Sequence, residues 1–244
     1  MTDSVFINFL RQLYHKLPTP PSTNYRFKEF EHSPYEFLQD NAVIYDIGSK
    51  DIVGGEYAFG KPPDNAQVIC VDIEDGPGVD IVADAHDLFM VKDSSVDCVV
   101  CVSVLIHLHY PHKVMKEINR ILRPGGIVYI SVPFIFPITS DPYDCYRFTS
   151  DGLKVLCEDF ECIENGFNRG PASCMCHLLV HFCAMIFSFN NKVIYGINID
   201  LFKWLLFWIK YLDIILGKYQ MANVIHAGSY FLGRKPEESD KPSK

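Results

Sequence analysis

Hydrophobic runs separated by turns and by helix-like segments recur along the chain from residue 42 onward. Five of these runs predict strands, at 42–47, 67–72, 79–83, 96–102 and 126–132. Apolar residues at helical spacing predict helices near 54–60 and at 111–122, and two further strands are predicted at 161–167 and 228–235. Strands that alternate with helices are typical of a parallel sheet covered on both faces, which binds ligands at the carboxyl ends of its strands.

The first predicted strand ends in a glycine turn. The turn follows Asp46 and contains Gly48 and Ser49, and the next strand ends in Asp72. Glycine lets the backbone approach a ligand, and an acid at the end of the second strand can accept both hydroxyls of a ribose. The turn lacks the G-x-G-x-x-G spacing that seats a pyrophosphate, which Asp46 would repel. The pattern therefore favours S-adenosylmethionine (SAM), a cationic ligand without phosphate, over NAD.

Composition limits the classes of function. The chain has 244 residues, of which 48% are hydrophobic, so it can bury a full core and is not disordered. A net charge of −8 argues against a nucleic-acid partner bound through its phosphates. Nine cysteines, an odd number placed mostly in apolar runs, indicate reduced thiols in a cytosolic protein. Charged residues within 1–16 argue against a secretory signal.

Two later strand ends carry polar side chains with more than one interpretation. Asp84 follows the third strand and could accept a hydrogen bond from the adenine amine, although an Asp in a loop is commonly a turn residue. His107 follows the fourth strand, where the reactive end of a ligand would lie. A hydrogen-bonded loop histidine without a catalytic role is the alternative. Both alternatives stay open at the level of the sequence.

Several motifs occur together in a fixed order. They are Asp-Ile-Gly-Ser at 46–49, Val-Asp-Ile at 71–73, Ala-Asp-Ala-His-Asp-Leu at 83–88, His-Leu at 107–108 and Glu-Ile-Asn-Arg-Ile-Leu-Arg-Pro-Gly-Gly at 117–126. In this order and spacing, residues 42–132 resemble the class I SAM-dependent methyltransferases. Asp-Ile-Gly-Ser-Lys-Asp at 46–51, and the segment 141–149 with its Pro-x-Asp and Arg-Phe-Thr, resemble one subgroup. Many members of that subgroup are encoded among enzymes of cell-surface polysaccharide or lipid-linked glycan synthesis.

The resemblance implies a fold and a set of cofactor contacts. The fold is α/β: a Rossmann-like, seven-stranded, mostly parallel sheet with helices on both faces and a hydrophobic helical insertion between the last two strands. Asp46, Gly48 and Ser49 would line the methionine end of SAM. Asp72 would bind the ribose, and Ile73 would lie against the adenine. Asp84 and Ala85 would hold the adenine edge, with Ser103 under the sulfonium. The implied cofactor-binding residues are Asp46, Gly48, Ser49, Asp72, Ile73, Asp84, Ala85 and Ser103.

A polar and aromatic segment follows the fifth strand. Asp144 and Arg147 lie three residues apart, with Tyr143 and Tyr146 beside them. Aromatic faces and polar ends suit a sugar or carboxylate, which predicts a substrate-binding role for all four residues. An Asp–Arg pair that fixes the loop to the sheet is the alternative. His107 is the predicted catalytic base, because transfer to a hydroxyl needs a base, and Asp144 is the second candidate.

Two strongly apolar runs, at 174–189 and 201–216, lie between the last two strands. Each would form a helix of roughly 24 Å, too short for the roughly 30 Å core of a bilayer. A lipid-facing hairpin, a dimer interface and a lid over the catalytic domain are the three interpretations. Cys174, His177 and His181 share a helical face in the first run. Such a cluster in an apolar run is more typical of a core, so no metal is predicted.

These observations predict a SAM-dependent methyltransferase that acts on the oxygen of a sugar, glycan, small-molecule or lipid-linked acceptor. Its expected location is the cytoplasm, with peripheral membrane contact or a homodimer formed through 174–216. The alternatives are a non-catalytic SAM-binding partner in a membrane-associated glycan-synthesis complex and an NAD-dependent sugar oxidoreductase. The predicted divisions are an N-terminal helix and arm at 1–41, a SAM-binding core at 42–170, the insertion at 171–227, the last strand at 228–235 and a disordered tail at 236–244.

Overall fold

The computed structural model of the protein describes residues 18–25, 33–48, 60–139 and 143–237. These residues form two compact units, each considered by itself. The sheet unit comprises the described residues of 33–168 together with 227–237, and the helical unit comprises 18–25 together with 169–226. The predicted helix before residue 18 lies outside the described residues, as does nearly all of the predicted helix at 54–60.

The sheet unit contains the secondary structure that the sequence predicts for the core. Its strands are β1 Val43–Ile47, β2 Gln67–Asp72, β3 Ile81–Val82, β4 Val96–Val102, β5 Leu122–Pro133, β6 Glu161–Arg169 and β7 Gly228–Arg234. A 3-10 helix precedes β1 at Pro34–Phe37, and the α-helices are α1 Pro111–Ile121 and α2 Ser150–Leu156. α1 begins at a proline, which is well suited to the first helical turn because its missing N–H has no partner there in any case.

The described strands form one sheet in the order β3-β2-β1-β4-β5-β7-β6. The neighbours from β3 to β5 pair in parallel, and β7 runs antiparallel to β5. The strand order reverses between β1 and β4, where the carboxyl ends of a doubly wound sheet open a ligand crevice. The predicted mostly parallel α/β sheet is confirmed.

Side chains of the central strands alternate between two hydrophobic clusters, one on each face of the sheet. In β4, Val99 and Cys101 belong to one cluster, whereas Cys98 and Val100 belong to the other. This period of two follows from the pleat, which directs successive side chains to opposite faces. Apolar side chains therefore cover both faces of the central strands.

The helical unit contains three α-helices and two 3-10 helices. They are α3 Pro171–Ile186, α4 Lys192–Leu206, a 3-10 helix at Phe207–Leu212, α5 Asp213–Leu216 and a 3-10 helix at Gln220–Val224. α3 and α4 are adjacent, since Phe187 and Phe202 stack with ring centroids 5.8 Å apart. Among the described residues, no helix is both long enough and apolar enough to cross a membrane.

The prediction of one continuous helix over 201–216 is wrong. The α-helix ends at Leu206, and Asp213 turns inward, where it is 0% exposed. Its carboxylate accepts the backbone N–H groups of Ala172 at 2.7 Å and Ser173 at 2.8 Å. These groups lie in the first turn of α3, where Gly170 at the N-cap has no side chain to accept them. Asp213 thus caps the N-terminus of α3, and the second apolar run does not continue as one α-helix through this residue.

Candidate active site

The carboxyl ends of β1, β2 and β4 are level with one another, so their loops meet at one edge of the sheet. Gly48 follows β1 and donates its N–H to the carbonyl of Val71 at 2.7 Å. Ala83, just after β3, donates to the carbonyl of Asp72 at 2.9 Å. Ser103 follows β4 and donates to the carbonyl of Ser131 in β5 at 2.7 Å. The predicted cofactor residues in this part of the chain therefore lie on one edge, except Ser49, which lies outside the described residues.

Gly48 is held in a conformation and a contact that only glycine satisfies. Its φ is +78°, in the left-handed region, and a Cβ built there would lie 2.1 Å from Cγ2 of Val104. The glycine turn thus touches the segment after β4, in which Ser103 also has a positive φ of +63°. This contact brings the proposed methionine-binding turn against the loop that leads to His107.

Asp72 and Ile73 lie at the end of β2 as the sequence predicts. One carboxylate oxygen of Asp72 accepts the N–H of Glu74 at 3.0 Å, which holds the side chain in a tight turn. Ile73 is 65% exposed. An apolar side chain presented beside a strand-end carboxylate fits a ligand that has both a ribose and a flat base.

Asp84 is a turn residue, and its carboxylate is also available to solvent. It accepts the N–H of His86 at 2.8 Å and contacts Nδ1 of the same residue at 2.6 Å. Partial burial alone would raise the pKa of Asp84, but these bonds from His86 outweigh it and lower the pKa below its ordinary value. Its side chain remains 52% exposed, while Ala85 beside it is buried. The turn alternative and the adenine-edge role are therefore compatible.

The loop that carries Asp84 is fixed to α1 by one arginine. Arg120 donates to the carbonyls of Leu88 and Val91, both at 2.8 Å, and forms an ion pair with Glu117. Glu117 in turn accepts the N–H of Leu88 at 3.0 Å. Hydrogen bonds from Arg120 lower the pKa of Glu117. The position of the Asp84 loop is thus set by α1 rather than by the loop itself.

His107 has a defined tautomer. Its Nδ1 lies within hydrogen-bonding distance of the backbone carbonyl of Tyr143. A carbonyl oxygen only accepts, so Nδ1 must donate the proton, and Nε2 of the neutral ring is then an acceptor. The N–H of His107 itself donates to the carbonyl of Val104 at 2.9 Å. The first bond fixes the ring through Nδ1 and the second fixes the backbone of His107, which leaves Nε2 as the accepting nitrogen of the ring.

Asp144 and Arg147 form a closed ion pair. Arg147 donates from both terminal nitrogens to the two carboxylate oxygens, and the N–H of Thr139 adds a bond of 2.8 Å. Hydrogen bonds from Arg147 and Thr139 and the nearby His107 lower the pKa of Asp144, although burial opposes this. A carboxylate with a lowered pKa is a weak base. The geometry favours the loop-fixing alternative for this pair and leaves His107 as the better placed base.

Two tyrosines of the same segment face solvent beside His107. Tyr143 is 61% exposed and meets the ring of His109 edge to face at 5.5 Å. Tyr146 stacks on Phe148 at 5.6 Å, and its hydroxyl donates to the carbonyl of His109 at 3.0 Å. The N–H of Cys145 donates to the carbonyl of Ile106 at 2.7 Å, which holds the segment against the turn after β4. An aromatic rim therefore borders the histidine.

Asp46 differs from the other predicted cofactor residues because it is almost completely covered. It is 1% exposed and lies near Tyr35 and Cys98. Burial, with a smaller contribution from the charge of Asp46, raises the pKa of both groups. Its predicted contact with the methionine end of SAM stays a prediction.

Three residues of this edge were not assigned from the sequence. Val104 fixes the glycine turn, His86 orients Asp84, and His109 supports both tyrosines of the rim. Nε2 of His86 is buried with no partner among the described residues. His86 lies inside the motif at 83–88 and contacts Asp84 two residues away, whereas His109 follows the motif at 107–108 and contacts tyrosines more than 30 residues away. Among the described residues, no three His, Cys, Asp or Glu side chains are grouped so that they could hold a metal ion.

Comparison with known proteins places this edge in a family context. Residues 58–130 match the family model of a methyltransferase domain. The human thiol S-methyltransferase TMT1B is 37% identical over 68 residues, which make up 28% of this chain and 26% of that protein. The mouse protein of the same name is 45% identical over 49 residues, or 20% of each chain. The matched segments thus span about a quarter or less of these curated relatives.

Solved structures extend the similarity to nearly the whole chain. The [4+2]-cyclase SpnF covers 95% of this chain and 93% of its own, with a TM-score of 0.51 and 14% identity. A phosphoethanolamine N-methyltransferase 2 from Haemonchus contortus, solved with S-adenosylhomocysteine, covers 82% of this chain and 50% of its own, with a TM-score of 0.52 and 18% identity. The fold is that of a class I methyltransferase. With the family match, this supports the enzyme class and the SAM cofactor that the sequence predicts.

Proposed function

We propose that this protein is a SAM-dependent methyltransferase that acts in the cytoplasm on the oxygen of a sugar, glycan or lipid-linked acceptor. The observation that carries the proposal is the position of His107. Its Nε2 is free to accept a proton and its ring is oriented by the Tyr143 carbonyl, beside the segment that touches the glycine turn. The nine free thiols support a reducing compartment.

The residues of the sheet edge fit SAM as a ligand. Gly48 leaves a surface that a Cβ would fill, Asp72 places a carboxylate where a ribose would lie, and Ile73 offers an apolar contact to the base. Asp84 adds an exposed acceptor for an amine. When bound, SAM supplies a methyl group already activated by its sulfonium. The protein then needs only to align the acceptor, exclude water and remove a proton.

His107 removes that proton in the proposed reaction. The proton of the acceptor would pass to Nε2 of His107 as the acceptor oxygen takes the methyl group that bound SAM would supply, and S-adenosylhomocysteine would leave. The Tyr143 carbonyl stabilises the resulting imidazolium, because the Nδ1–H already points at it. Asp144 contributes a nearby negative charge while it remains paired with Arg147.

The aromatic rim supports a sugar as the acceptor. Tyr143 and Tyr146 are 61% and 38% exposed, and the flat apolar faces of sugars stack on such rings. We assign acceptor binding to these two tyrosines. Arg147 and Asp144 support the rim from beneath by fixing its backbone, with bonds from Arg147 to the carbonyls of Tyr146 and Pro137.

A thiol is the second candidate acceptor, because the curated relatives are named thiol S-methyltransferases. The same base would serve, since a thiol also loses a proton on methylation. A non-catalytic SAM-binding partner is the remaining alternative. All three share the cofactor site, and they differ in whether S-adenosylhomocysteine forms and on which acceptor.

Calorimetry and turnover together test the proposal. The protein should bind SAM and not NAD, and should release S-adenosylhomocysteine when given a panel of monosaccharides and glycans, but not with an alkyl thiol. His107→Gln should retain SAM affinity and lose roughly 10²-fold in turnover, the usual scale for a lost base. Turnover with the thiol alone would shift the assignment to thiol methylation. SAM binding without turnover on either class of acceptor would favour the non-catalytic partner.

A further inference from the structure

The helical unit exposes an unusual amount of apolar surface. Of the 27 large hydrophobic residues that are exposed in the described chain, 18 lie within 175–224. α4 and the 3-10 helix that follows it have no buried residue at all. A helix of a monomeric protein normally buries one apolar face, and large exposed apolar patches mark interaction sites. This surface therefore has a partner.

The exposed residues of α3 form a single stripe. They recur three or four positions apart, which places them on one side of the helix, whereas Cys176, Val180 and Ala184 on the other side are buried. Phe189, in the turn between α3 and α4, is 84% exposed, more than any other large hydrophobic residue described. The members of the stripe are Met175, Leu178, Phe182, Met185 and Phe189.

α4 and the 3-10 helix after it add residues with a different character. Trp204 and Trp208 are 45% and 55% exposed, and Tyr211 and Tyr219 are 47% and 56% exposed. Trp and Tyr are enriched where hydrocarbon meets lipid headgroups, because each ring has an apolar body and a polar edge. A protein interface would also accept these rings, so their chemistry alone does not choose the partner.

The charges of the segment 169–226 distinguish a lipid surface from a second protein as the partner. The chain as a whole carries −8, yet the segment 169–226 has five basic residues and only two acidic ones. Neither acid is presented to a partner: Asp213 is 0% exposed, and Asp200 forms an ion pair with Lys203 at 3.2 Å. Lys192 and Lys218 are exposed. An apolar surface with cationic residues and no presented acid complements an anionic lipid surface, and it would repel an identical copy.

We propose that the helical unit binds the surface of membranes that contain anionic lipids, with the α3 stripe, Phe189 and the two tryptophans inserted at the headgroup boundary. The lengths of α3 and α4, 16 and 15 residues, suit helices that lie in the interface. The inference deepens the proposed function by presenting the acceptor at a lipid surface.

The two tryptophans make the test direct, because they are the only two in the chain. Their fluorescence should shift to the blue and be quenched by brominated lipid when vesicles of phosphatidylcholine with phosphatidylglycerol are added. The signal reports no step of methyl transfer, so this inference and the proposed function can fail separately. Vesicles of pure phosphatidylcholine should give a weaker shift, because this lipid has no net negative charge to attract the lysines.

Variants separate the lipid surface from its alternatives. By co-sedimentation, Trp204→Asp with Trp208→Asp should lower vesicle partitioning at least roughly tenfold, the effect of removing two large buried rings. Lys192→Glu with Lys218→Glu should weaken binding to anionic vesicles alone, and Phe89→Asp, at a 79% exposed phenylalanine of the sheet unit, should change nothing. Circular dichroism and thermal denaturation, which do not depend on SAM, check that each variant is folded.

Three results would overturn the proposal. A blue shift that grows with protein concentration in the absence of lipid, with a dimer in sedimentation velocity, would assign the surface to a second copy. Emission already blue in the dilute monomer would assign it to a lid. Red emission that no vesicle changes would mean that the surface does not meet lipid.

Discussion

Gly48→Ala should destabilise the protein and disrupt the cofactor turn, for two separable reasons. The first is the backbone, because φ is +78° and an L-residue in the left-handed region costs about 1–2 kcal/mol. The second is the clash with Val104, since the new Cβ would lie 2.1 Å from Cγ2. Overpacking of this kind costs about 1–3 kcal/mol. Together these predict a loss of about 2–5 kcal/mol in the free energy of unfolding.

Two further variants divide this sum into its parts. Gly125 has a nearly identical φ of +75°, and a Cβ there would meet only the carboxylate end of Glu237, a flexible group that can move away. Gly125→Ala should therefore show the backbone cost alone. In the second variant, Val104→Ala removes Cγ2 and leaves its own Cβ 3.4 Å from the new methyl, an ordinary contact. Adding Val104→Ala to Gly48→Ala should therefore recover the overpacking cost of about 1–3 kcal/mol.

Chemical denaturation of the wild type, Gly48→Ala, Val104→Ala and the double variant, analysed as a double-mutant cycle, measures the overpacking cost. Gly125→Ala is denatured alongside for the backbone cost, and calorimetry measures SAM affinity in parallel. Gly48→Ala should bind SAM more weakly, and the double variant should regain part of that affinity. If Gly48→Ala is no less stable than Gly125→Ala, then the contact between the two loops does not exist as described. If Val104→Ala restores nothing, the strain lies in the backbone and Val104 does not set the turn.

Three further predictions concern single side chains. Asp72→Ala should weaken SAM binding by about 1–3 kcal/mol in calorimetry, the cost of unpairing buried hydroxyl contacts, and unchanged affinity would refute the ribose assignment. The lowered pKa of Asp144 means that its stabilisation is present above the unfolded pKa and is lost as pH falls through the folded pKa, so Asp144→Asn should flatten the acid side of the stability profile. Burial lowers the pKa of His177 to about 4 from 6.5, so the unfolded chain binds the extra proton between these values and stability should decline as pH falls through that window, but not in His177→Gln. Denaturation at a series of pH values checks both, and wild-type slopes in the variants would contradict them.

The strands could be predicted from the sequence because their signal is local. β4 and β5 alternate side chains between two buried clusters, so each is a mainly apolar run, at 96–102 and 126–132, and the structure agrees within a few residues. The strand ends followed from the same runs, which placed Asp72, Asp84 and His107 at the sheet edge. The observed strand order confirms the predicted fold, whereas the roles of these side chains stay predictions.

The tertiary contacts of the site could not be predicted in the same way. Nothing near Gly48 in the sequence indicates that Val104 closes over it, and nothing near Asp213 indicates that it caps α3, 40 residues away in the chain. The sequence alone predicts that 201–216 forms one helix. A buried carboxylate bonded to two N–H groups was worth more than helical continuity.

The fold alone does not determine the chemistry of this edge, because it is shared with a protein named as a cyclase. What a methyl transfer to oxygen needs in addition is a base whose accepting nitrogen faces the acceptor side. In the proposed mechanism His107 is this base, and its Nδ1 contacts a backbone carbonyl, which no side-chain substitution at Tyr143 can remove. The carboxylate of Asp144 already accepts hydrogen bonds from Arg147 and Thr139, so it is a weaker candidate base than His107. Loss of turnover in His107→Gln with SAM affinity intact would therefore locate the chemistry at one nitrogen, and retained turnover would mean that the acceptor arrives already deprotonated.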